Sequence, residues 1–200
     1  MAVLSDIHAS KPREKRSTWA VEGEDDTVNP LGALDRLIAG ICAEYERPAA
    51  QKGLSLEHNL GSIRLVGDAV AVGRIVRNLI DNAIKYTDQG EVRVATHIER
   101  LGAAPLAVVT VTDTGKGIPA TEQSRIFEEF YQLDNPGRDR SSGVGLGLAI
   151  VQRLCELIGA TVSVESAVGQ GTCFRVSMPA ILSKRPIKYF RTVPTISSQS

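Results

Sequence analysis

The sequence predicts an α/β domain in which amphipathic helices alternate with short strands. Apolar stripes at helical spacing predict helices in residues 30–47, 74–87 and 147–158. Residues 91–98 and 106–112 alternate apolar and polar side chains, which is typical of half-buried strands. The 200 residues suffice for one ordinary domain with a proper core, and they leave some chain for tails.

The composition is that of a soluble globular protein without an overall charge bias. Basic and acidic residues number 23 each, so nothing favours nucleic acid or a membrane surface as partner. Cys42, Cys155 and Cys173 are odd in number and form no CxxC pair, so we expect reduced, intracellular thiols rather than disulfides or a zinc site. No apolar run approaches the roughly 18 residues of a membrane span, and the first twenty residues lack a signal peptide's apolar centre. These features predict a cytoplasmic chain, whole or cut from a larger one.

The first part of the chain predicts an arm, a helix and two strands. Residues 1–29 carry a basic and then an acidic cluster without an apolar period, which is typical of a linker or flexible arm. Asn29-Pro30 predicts the start of a helix that ends before Pro48. Residues 54–58 and 63–66 alternate like short strands, with a turn between them at Asn59, Gly61 and Ser62. Asp68 is placed to cap the next helix.

The second part of the chain predicts four strands, a helical piece and a third helix. Strands 91–98 and 106–112 are expected to be antiparallel and joined by a turn at residues 102–105, with a short helical piece at 122–133 and a mobile loop at 134–143. The third helix runs from Gly147 to a C-terminal Gly159. Strands 161–165 and 172–178 surround a turn at 169–171, and residues 181–200 form a basic, Ser-rich tail for which disorder is expected.

The helix of residues 74–87 has a core side and an unusual polar side. Asn78, Asp81, Asn82 and Lys85 gather on the polar side at offsets of three, four and seven residues. Asparagine is a mediocre helix former, so two of them on an exposed face need another reason. Neutral carbonyl oxygens beside an ammonium could hold a hard cation between phosphates. The alternative is a polar surface that happens to contain two asparagines.

Two glycine-containing segments are further candidates for ligand binding. Asp113 follows a strand and precedes Gly115 and Gly117, so its carboxylate projects from a sheet edge and suits an exocyclic amine. The alternative there is an ordinary Asp-Gly turn. Residues 143–148 open the third helix, whose amides could receive phosphate. They do not form the dinucleotide-binding fingerprint, because a polar loop rather than a strand precedes them.

Taken in order, these segments resemble the N, G1, F and G2 boxes of the catalytic ATP-binding domain of sensor histidine kinases. The matching residues are Asn78-x3-Asn82-Ala-x-Lys85-Tyr86-Thr87, Asp113-x-Gly115-x-Gly117-Ile118, Phe127-x2-Phe130-Tyr131 and Gly143-x-Gly145-Leu146-Gly147-Leu148. The resemblance covers residues 30–179 and implies a histidine kinase-like domain at 30–180. The implied fold is the Bergerat ATP-binding fold, a two-layer α/β sandwich with a mixed, mostly antiparallel sheet, three long helices on one face and a mobile ATP lid at residues 132–146.

The resemblance also implies roles for individual residues at an ATP and Mg2+ site. Asn82 would bind Mg2+ with Asn78 beside it, Lys85 would meet the phosphates, and Tyr86 would pack near the nucleoside. Asp113 would accept the adenine amino group, helped by Thr172 through water, and Gly115 and Gly117 would let the base lie close. Arg138 and Arg140 would meet the polyphosphate, although loop arginines are often only solvated charges. Gly143, Gly145 and Gly147 would give hinge freedom and amide donors, and the boxes also bring Ile118, Phe130, Leu146 and Leu148 to the nucleotide.

Residue 78 favours a kinase over a hydrolase. The ATP-hydrolysing relatives of the gyrase, mismatch-repair and heat-shock chaperone type carry a Glu there to activate water, and a neutral amide cannot act as a general base. Transfer of the γ-phosphoryl group to an external imidazole fits better, with Asn78 and Lys85 as the catalytic residues. The resemblance thus implies a protein-histidine kinase of a two-component system.

The phospho-acceptor histidine of that family is not found in this sequence. His8, His58 and His97 lie outside any His-Glu/Asp-Leu-Arg type box, so the chain resembles a catalytic fragment or a module that acts in trans. The implied partners are a dimerisation/histidine phosphotransfer hairpin, in a longer protein or separate, and a downstream response regulator. The chain would then be cytoplasmic, by itself or as part of a membrane-bound sensor. A stand-alone protein-serine kinase of the anti-sigma type is an alternative, and so is a regulatory module that has lost ATP, although such modules usually have eroded boxes and these are whole.

Overall fold

The structure, a computed structural model, describes residues 30–66, 68–101, 104–133 and 145–180. The predicted arm, the loop 134–143 and the tail 181–200 lie outside the described residues. The elements in chain order are β1 (Pro30–Ala33), α1 (Leu34–Gln51), β2 (Leu54–Leu60), β3 (Arg64–Val66), α2 (Ala69–Tyr86), β4 (Gly90–Leu101), β5 (Ala104–Asp113), α3 (Gly147–Leu157), β6 (Thr161–Ala167) and β7 (Gly171–Pro179).

The main sheet has five strands in the order β2-β4-β5-β7-β6. β2 runs parallel to β4, and the other neighbours pair antiparallel, which confirms the predicted mixed, mostly antiparallel sheet. In the centre, Asp113 at the end of β5 is in register with Thr172 at the start of β7. β1 and β3 form a separate two-stranded antiparallel sheet.

One core lies between the helices and one face of the main sheet. The sheet contributes fully buried valines such as Val92, Val94 and Val111, and all three helices contribute to the same cluster. Along β4, Arg93 and His97 alternate with these valines and are exposed on the other face. This alternation is what a sheet with one packed face requires, and it confirms a two-layer sandwich.

The N-terminal helix differs from its prediction at both ends. It begins at Leu34 rather than at Asn29-Pro30, because residues 30–33 pair with β3 instead. Proline lacks an amide hydrogen and is tolerated in an edge strand of this kind. The helix also continues through Pro48 to Gln51, where the sequence predicts an end. Ala49 is buried there, so packing on the core offsets the hydrogen bond that proline cannot form.

The other differences between the predicted and the observed elements concern single residues or short segments. Asn59 lies inside β2, so the predicted turn is confined to residues 61–63, and Pro105 belongs to β5 rather than to the preceding turn. Residues 122–133 form a series of hydrogen-bonded turns instead of a helical piece. The predicted cap of α2 is confirmed: Oδ1 of Asp68 accepts hydrogen bonds from the amides of Val70 and Ala71 at 2.8 and 3.0 Å. Gly159 ends the third helix in the left-handed region, with φ of 66°.

Candidate functional site

The two asparagines of α2 lie on the side of the helix that meets the start of α3. Asn78 and Asn82 are half-buried, and Nδ2 of Asn78 donates to the carbonyl of Arg74 at 2.7 Å. This hydrogen bond turns the Oδ1 of Asn78 away from its own helix. A β-carbon on Gly147 would lie 3.2 Å from that oxygen and 3.8 Å from Nδ2 of Asn82. The structure therefore brings Asn78, Asn82 and Gly147 together.

The beginning of α3 offers backbone amides without a side-chain cap. Leu146 is the N-cap residue and forms no side-chain capping hydrogen bond, so the first amides of the helix have no intrahelical acceptor. Such a helix start favours anions, because free N–H groups and the positive end of the helix dipole point the same way. Gly145 precedes it with φ of +75°, a conformation that favours glycine. Leu146 is half-buried, and Leu148 packs against the core.

Asp113 is a buried carboxylate at the end of β5. Its side chain is 6% exposed, and Oδ1 accepts a hydrogen bond from the amide of Gly115 at 2.9 Å. Burial raises the pKa of Asp113 above its usual value, and the amides of Gly115 and Thr172 together with the nearby hydroxyl of Thr87 partly lower this pKa again. The carboxylate thus keeps a limited acceptor capacity in a low-dielectric position, which suits recognition of a single hydrogen-bond donor.

The glycines after Asp113 have close neighbours within the protein itself. A β-carbon on Gly115 would lie 2.4 Å from the carbonyl oxygen of Tyr86. Gly117 has φ of +69°, and a β-carbon there would lie 1.9 Å from the carbonyl oxygen of Ala167. The sequence predicts these glycines for the approach of a ligand. The structure adds that the backbone of the chain itself leaves no room for a side chain at either position.

Lys85 and Tyr86 lie where α2 ends beside the Asp113 loop. Nζ of Lys85 is 4.8 Å from the ring centroid of Tyr86, which is 44% exposed. The carbonyl of Tyr86 accepts a hydrogen bond from the amide of Lys116 at 3.2 Å. Nζ of Lys52 donates to the carbonyls of Ile84 and Lys85, each at 2.7 Å. These contacts fix the end of α2 relative to the loop that carries Asp113.

Phe130 and Ile118 lie on segments tied to neighbouring parts of the site. The amide of Phe130 donates to the carbonyl of Gly145 at 3.0 Å, and Phe130 adopts φ of 64° with 67% of its side chain exposed. The amide of Ile118 donates to Oγ of Ser166 at 2.8 Å. The F-box segment is thereby attached to the chain just before α3, and the Asp113 loop to β6.

The predicted residues Arg138, Arg140 and Gly143 lie outside the described residues, as does most of the lid segment 132–146. Within the described ranges no cluster of three or more His, Cys, Asp or Glu residues could hold a metal ion. No helix in those ranges is long and apolar enough to cross a membrane. All three cysteines are free.

Two residues near Asp113 have no role assigned from the sequence. Oγ of Ser166 is 3.0 Å from Oγ1 of Thr172 and also donates to the carbonyl of Gly171 at 2.8 Å. Thr87 is fully buried, and its hydroxyl forms no hydrogen bond of ordinary geometry with any described residue. Thr87 is the last residue of the N-box pattern, and this membership is the signal that could have suggested a role for it. Ser166 carries no signal of its own, because the amide that donates to it, that of Ile118, is 48 residues away in the sequence.

Comparisons with known proteins agree with this geometry. Residues 67–181 match the family described as histidine kinase-, DNA gyrase B-, and HSP90-like ATPase. The autoinducer 2 sensor kinase/phosphatase LuxQ of Vibrio cholerae is 34% identical over 191 residues, which are 93% of this chain and 21% of LuxQ. The chain therefore spans a minor part of such a relative.

The fold of this chain is also similar to that of solved structures. The crystal structure of full-length ShkA in complex with AMPPNP has a TM-score of 0.62 at 27% identity and covers 74% of this chain and 30% of ShkA. The mycobacterial sensor histidine kinase MprB has a TM-score of 0.60 at 26% identity and covers 76% of this chain and 96% of the MprB chain.

A sheet with three helices on one face and a site between α2, α3 and the Asp113 loop defines the Bergerat class of ATP-binding domain. The chain belongs to the histidine kinase-, DNA gyrase B- and HSP90-like ATPase family, and within it has the fold and the relatives of the ATP-binding catalytic domain of a two-component sensor histidine kinase.

Proposed function

We propose that this domain binds MgATP and transfers the γ-phosphoryl group to a histidine on a separate dimerisation/acceptor hairpin. The observation that carries the proposal is the meeting of the Asn78 and Asn82 side chains with the uncapped start of α3 at Gly147. Carboxamide oxygens beside helix amides that lack an intrahelical acceptor suit a phosphate chain with its cation. The acceptor hairpin belongs to a longer protein or acts in trans, and a response regulator receives the phosphoryl group from it.

The candidate residues form two ends of the site, one for the phosphates with Mg2+ and one for the adenine base. In this proposal Asn82 holds Mg2+ with Asn78 beside it, while Lys85 and the first amides of α3 meet the phosphates. Asp113 accepts a hydrogen bond from the adenine amino group, and Thr172 assists. When bound, Mg2+ neutralises charge on the departing diphosphate. The donor set fits both ligands, because hard oxygen atoms face the cation and a lone acceptor faces the base.

Transfer to histidine rather than to water follows from the chemistry of residue 78. The Asn78 amide is neutral and already donates to the carbonyl of Arg74, so it cannot remove a proton from water. The acceptor imidazole supplies its own nucleophilic nitrogen, which forms the bond to the γ-phosphorus while the bond to the β–γ bridging oxygen breaks. ADP leaves, and the domain contributes positioning and charge neutralisation. We place this reaction in the cytoplasm, which supplies ATP and suits three free thiols.

Substitution Asn82→Ala tests the proposal. We expect a folded domain whose affinity for ADP with Mg2+ falls by at least about tenfold and whose transfer to a matching acceptor hairpin is lost. The label on the acceptor must be acid-labile, as phosphohistidine is; an acid-stable label would instead identify a serine kinase.

The matched control is Asn59→Ala, which removes an exposed asparagine from β2, an element that carries none of the candidate residues. This control keeps both nucleotide binding and transfer. Normal nucleotide binding by the Asn82→Ala variant would refute the assigned metal role, and intact binding without transfer to any matching hairpin would refute the kinase function.

A further inference from the structure

Thr87 places a buried and unpartnered hydroxyl directly behind the proposed adenine site. The residue ends α2, is 0% exposed, and makes no hydrogen bond of ordinary geometry within the described residues. Its side chain does not cap α2 either. A buried polar group without a partner costs free energy, so such a group calls for an explanation. The backbone of α2 does not provide this explanation, because it forms no hydrogen bond with the hydroxyl of Thr87.

The hydroxyl faces Asp113. A β-carbon on Gly115 would lie 2.8 Å from Oγ1 of Thr87 and 2.9 Å from Oδ1 of Asp113, so both oxygens lie close to the same point. The hydroxyl is near enough to lower the pKa of Asp113, together with the amides of Gly115 and Thr172. The pKa of Asp113 thus depends on burial, which raises it, and on these three uncharged donors, which lower it. Thr87 is therefore poised beside the carboxylate without being aligned on it.

We propose that Thr87 is a positioning residue for nucleobase selection: its hydroxyl donates to the Asp113 carboxylate when an adenine nucleotide is bound. The inference rests on the proposed function, in which Asp113 accepts the adenine amino group. Thr87 is fully buried, so it acts through Asp113 and does not touch the base. A carboxylate held from behind by a hydroxyl and two amides offers its remaining acceptor position to one donor, in one direction. A purine that carries a carbonyl group in place of the adenine amino group presents an acceptor to this carboxylate and is rejected.

The test compares ADP with inosine diphosphate, which carries oxygen in place of the adenine amino group and has the same phosphates. Both dissociation constants are measured with Mg2+ for the wild-type chain and for Thr87→Val, which keeps the shape but removes the hydroxyl. The expected result is a loss of about tenfold in ADP affinity with little change for inosine diphosphate, because a hydrogen bond to a charged group is lost only with adenine. Thr87→Ser keeps the hydroxyl and retains the wild-type preference within about twofold.

Asp113→Asn separates failure of this inference from failure of the proposed function. If the wild-type chain does not prefer ADP, or if Asp113→Asn leaves the preference intact, the assigned adenine site is wrong and the role of Thr87 falls with it. The positioning role is overturned if Asp113→Asn abolishes the preference for ADP but Thr87→Val retains it. The same holds if Thr87→Val weakens the binding of both nucleotides equally. In either case the assigned adenine site remains supported. Should Thr87→Val fail to fold, Thr87→Ser and Thr87→Ala decide: the preference must survive in the serine variant and fall in the alanine variant, and any other pattern overturns the inference.

Discussion

Gly147 lies against Asn78 so closely that a β-carbon on the glycine would come within 3.2 Å of the amide oxygen. The first residue of α3 and the polar side of α2 thus share a space that is open only because residue 147 has no side chain. In the proposed site this space admits phosphate and its cation. The backbone at Gly147 does not require glycine, since Gly147 is not among the residues with positive φ.

Substitution Gly147→Ala is expected to separate stability from binding. Gly147 is the first residue of α3 and has no positive φ, so its backbone tolerates alanine and the melting temperature should change little. Affinity for ADP with Mg2+ falls several-fold, because the new methyl group crowds the Asn78 oxygen and the helix amides. Thermal unfolding and nucleotide titration measure the two effects.

Gly40→Ala is the matched control for this prediction. Gly40 lies within α1, and a β-carbon there would have no atom within 4 Å. The control should gain up to about 1 kcal/mol of helix stability without any change in nucleotide affinity. Unchanged affinity in the Gly147→Ala variant would contradict the role assigned to the start of α3.

Asp113→Asn is expected to weaken adenine binding without destabilising the ligand-free domain. Burial raises the pKa of Asp113 above its ordinary 3.8. At low pH the Asp113 carboxyl is neutral in both the folded and the unfolded chain. As pH rises, this carboxyl loses its proton first in the unfolded chain, where its pKa is lower. The folded state therefore loses stability as pH rises through its raised pKa, and at neutral pH it carries the cost of a buried charge. The neutral amide removes that cost.

The measurements are melting temperatures and ADP affinities at several pH values. At neutral pH the ligand-free Asn variant should melt no lower than the wild-type chain, while its ADP affinity is reduced by at least about tenfold. The affinity ratio of wild type to variant should shrink as pH falls through the raised pKa, because the wild-type acid then becomes neutral too. The same ligand is used throughout, so phosphate protonation cancels from this ratio. A markedly less stable variant would show that the carboxylate is structural.

Gly171→Ala is expected to be strongly destabilising, whereas Gly169→Ala is not. Both glycines lie in or beside the β6–β7 turn with positive φ, 75° at Gly169 and 84° at Gly171. A β-carbon on Gly171 would lie 1.9 Å from the carbonyl oxygen of Asp113, and one on Gly169 would have no atom within 4 Å. Gly169→Ala therefore costs only the backbone strain of about 1–2 kcal/mol. Gly171→Ala must also displace β5 where Asp113 begins the candidate site, so it should cost at least about 3 kcal/mol. Denaturant unfolding of the pair isolates the steric effect, and equal losses would show that strain alone decides.

The sequence predicts the local elements of the fold better than their long-range pairing. Alternation finds β4 and β5, and the Asp68 cap and Gly159 delimit helices, because these signals act over a few neighbouring residues. The pairing of β1 with β3 and the continuation of α1 through Pro48 depend on packing against distant segments. Such tertiary contacts override local propensity, and no short pattern announces them.

The same distinction applies to the candidate site. Asn78 and Asn82 stand out in the sequence because asparagine is unusual on an exposed helix face, and Asp113 stands out because it follows a strand and precedes two glycines. Thr87 and Ser166 receive no role from the sequence, although Thr87 belongs to the N-box pattern, because their neighbours Gly115 and Ile118 are far along the chain. A threonine at a helix end and a serine in a strand look ordinary until the fold brings a carboxylate or an amide to them.

Lys52 connects the end of α1 to the end of α2, and its removal should affect both stability and nucleotide binding. Its ammonium group donates to the carbonyls of Ile84 and Lys85, which lie in the last turn of α2 and lack intrahelical donors. Lys52→Met keeps most of the aliphatic length and removes these hydrogen bonds. We expect a loss of about 1–2 kcal/mol in the free energy of unfolding and a several-fold loss of ADP affinity, because Lys85 and Tyr86 are then less firmly held.

Lys116→Met is the matched control. Both ammonium groups also approach the exposed carboxylate of Asp88, at 4.0 Å from Lys52 and 3.8 Å from Lys116, and such exposed ion pairs contribute little. Lys116→Met should therefore change stability by less than about 0.5 kcal/mol. Raising the salt concentration screens the ion pairs but weakens hydrogen bonds to carbonyls much less, so the difference between the two variants should persist in high salt. If that difference disappears, Lys52 acts only through Asp88, and the end of α2 is held by its own packing.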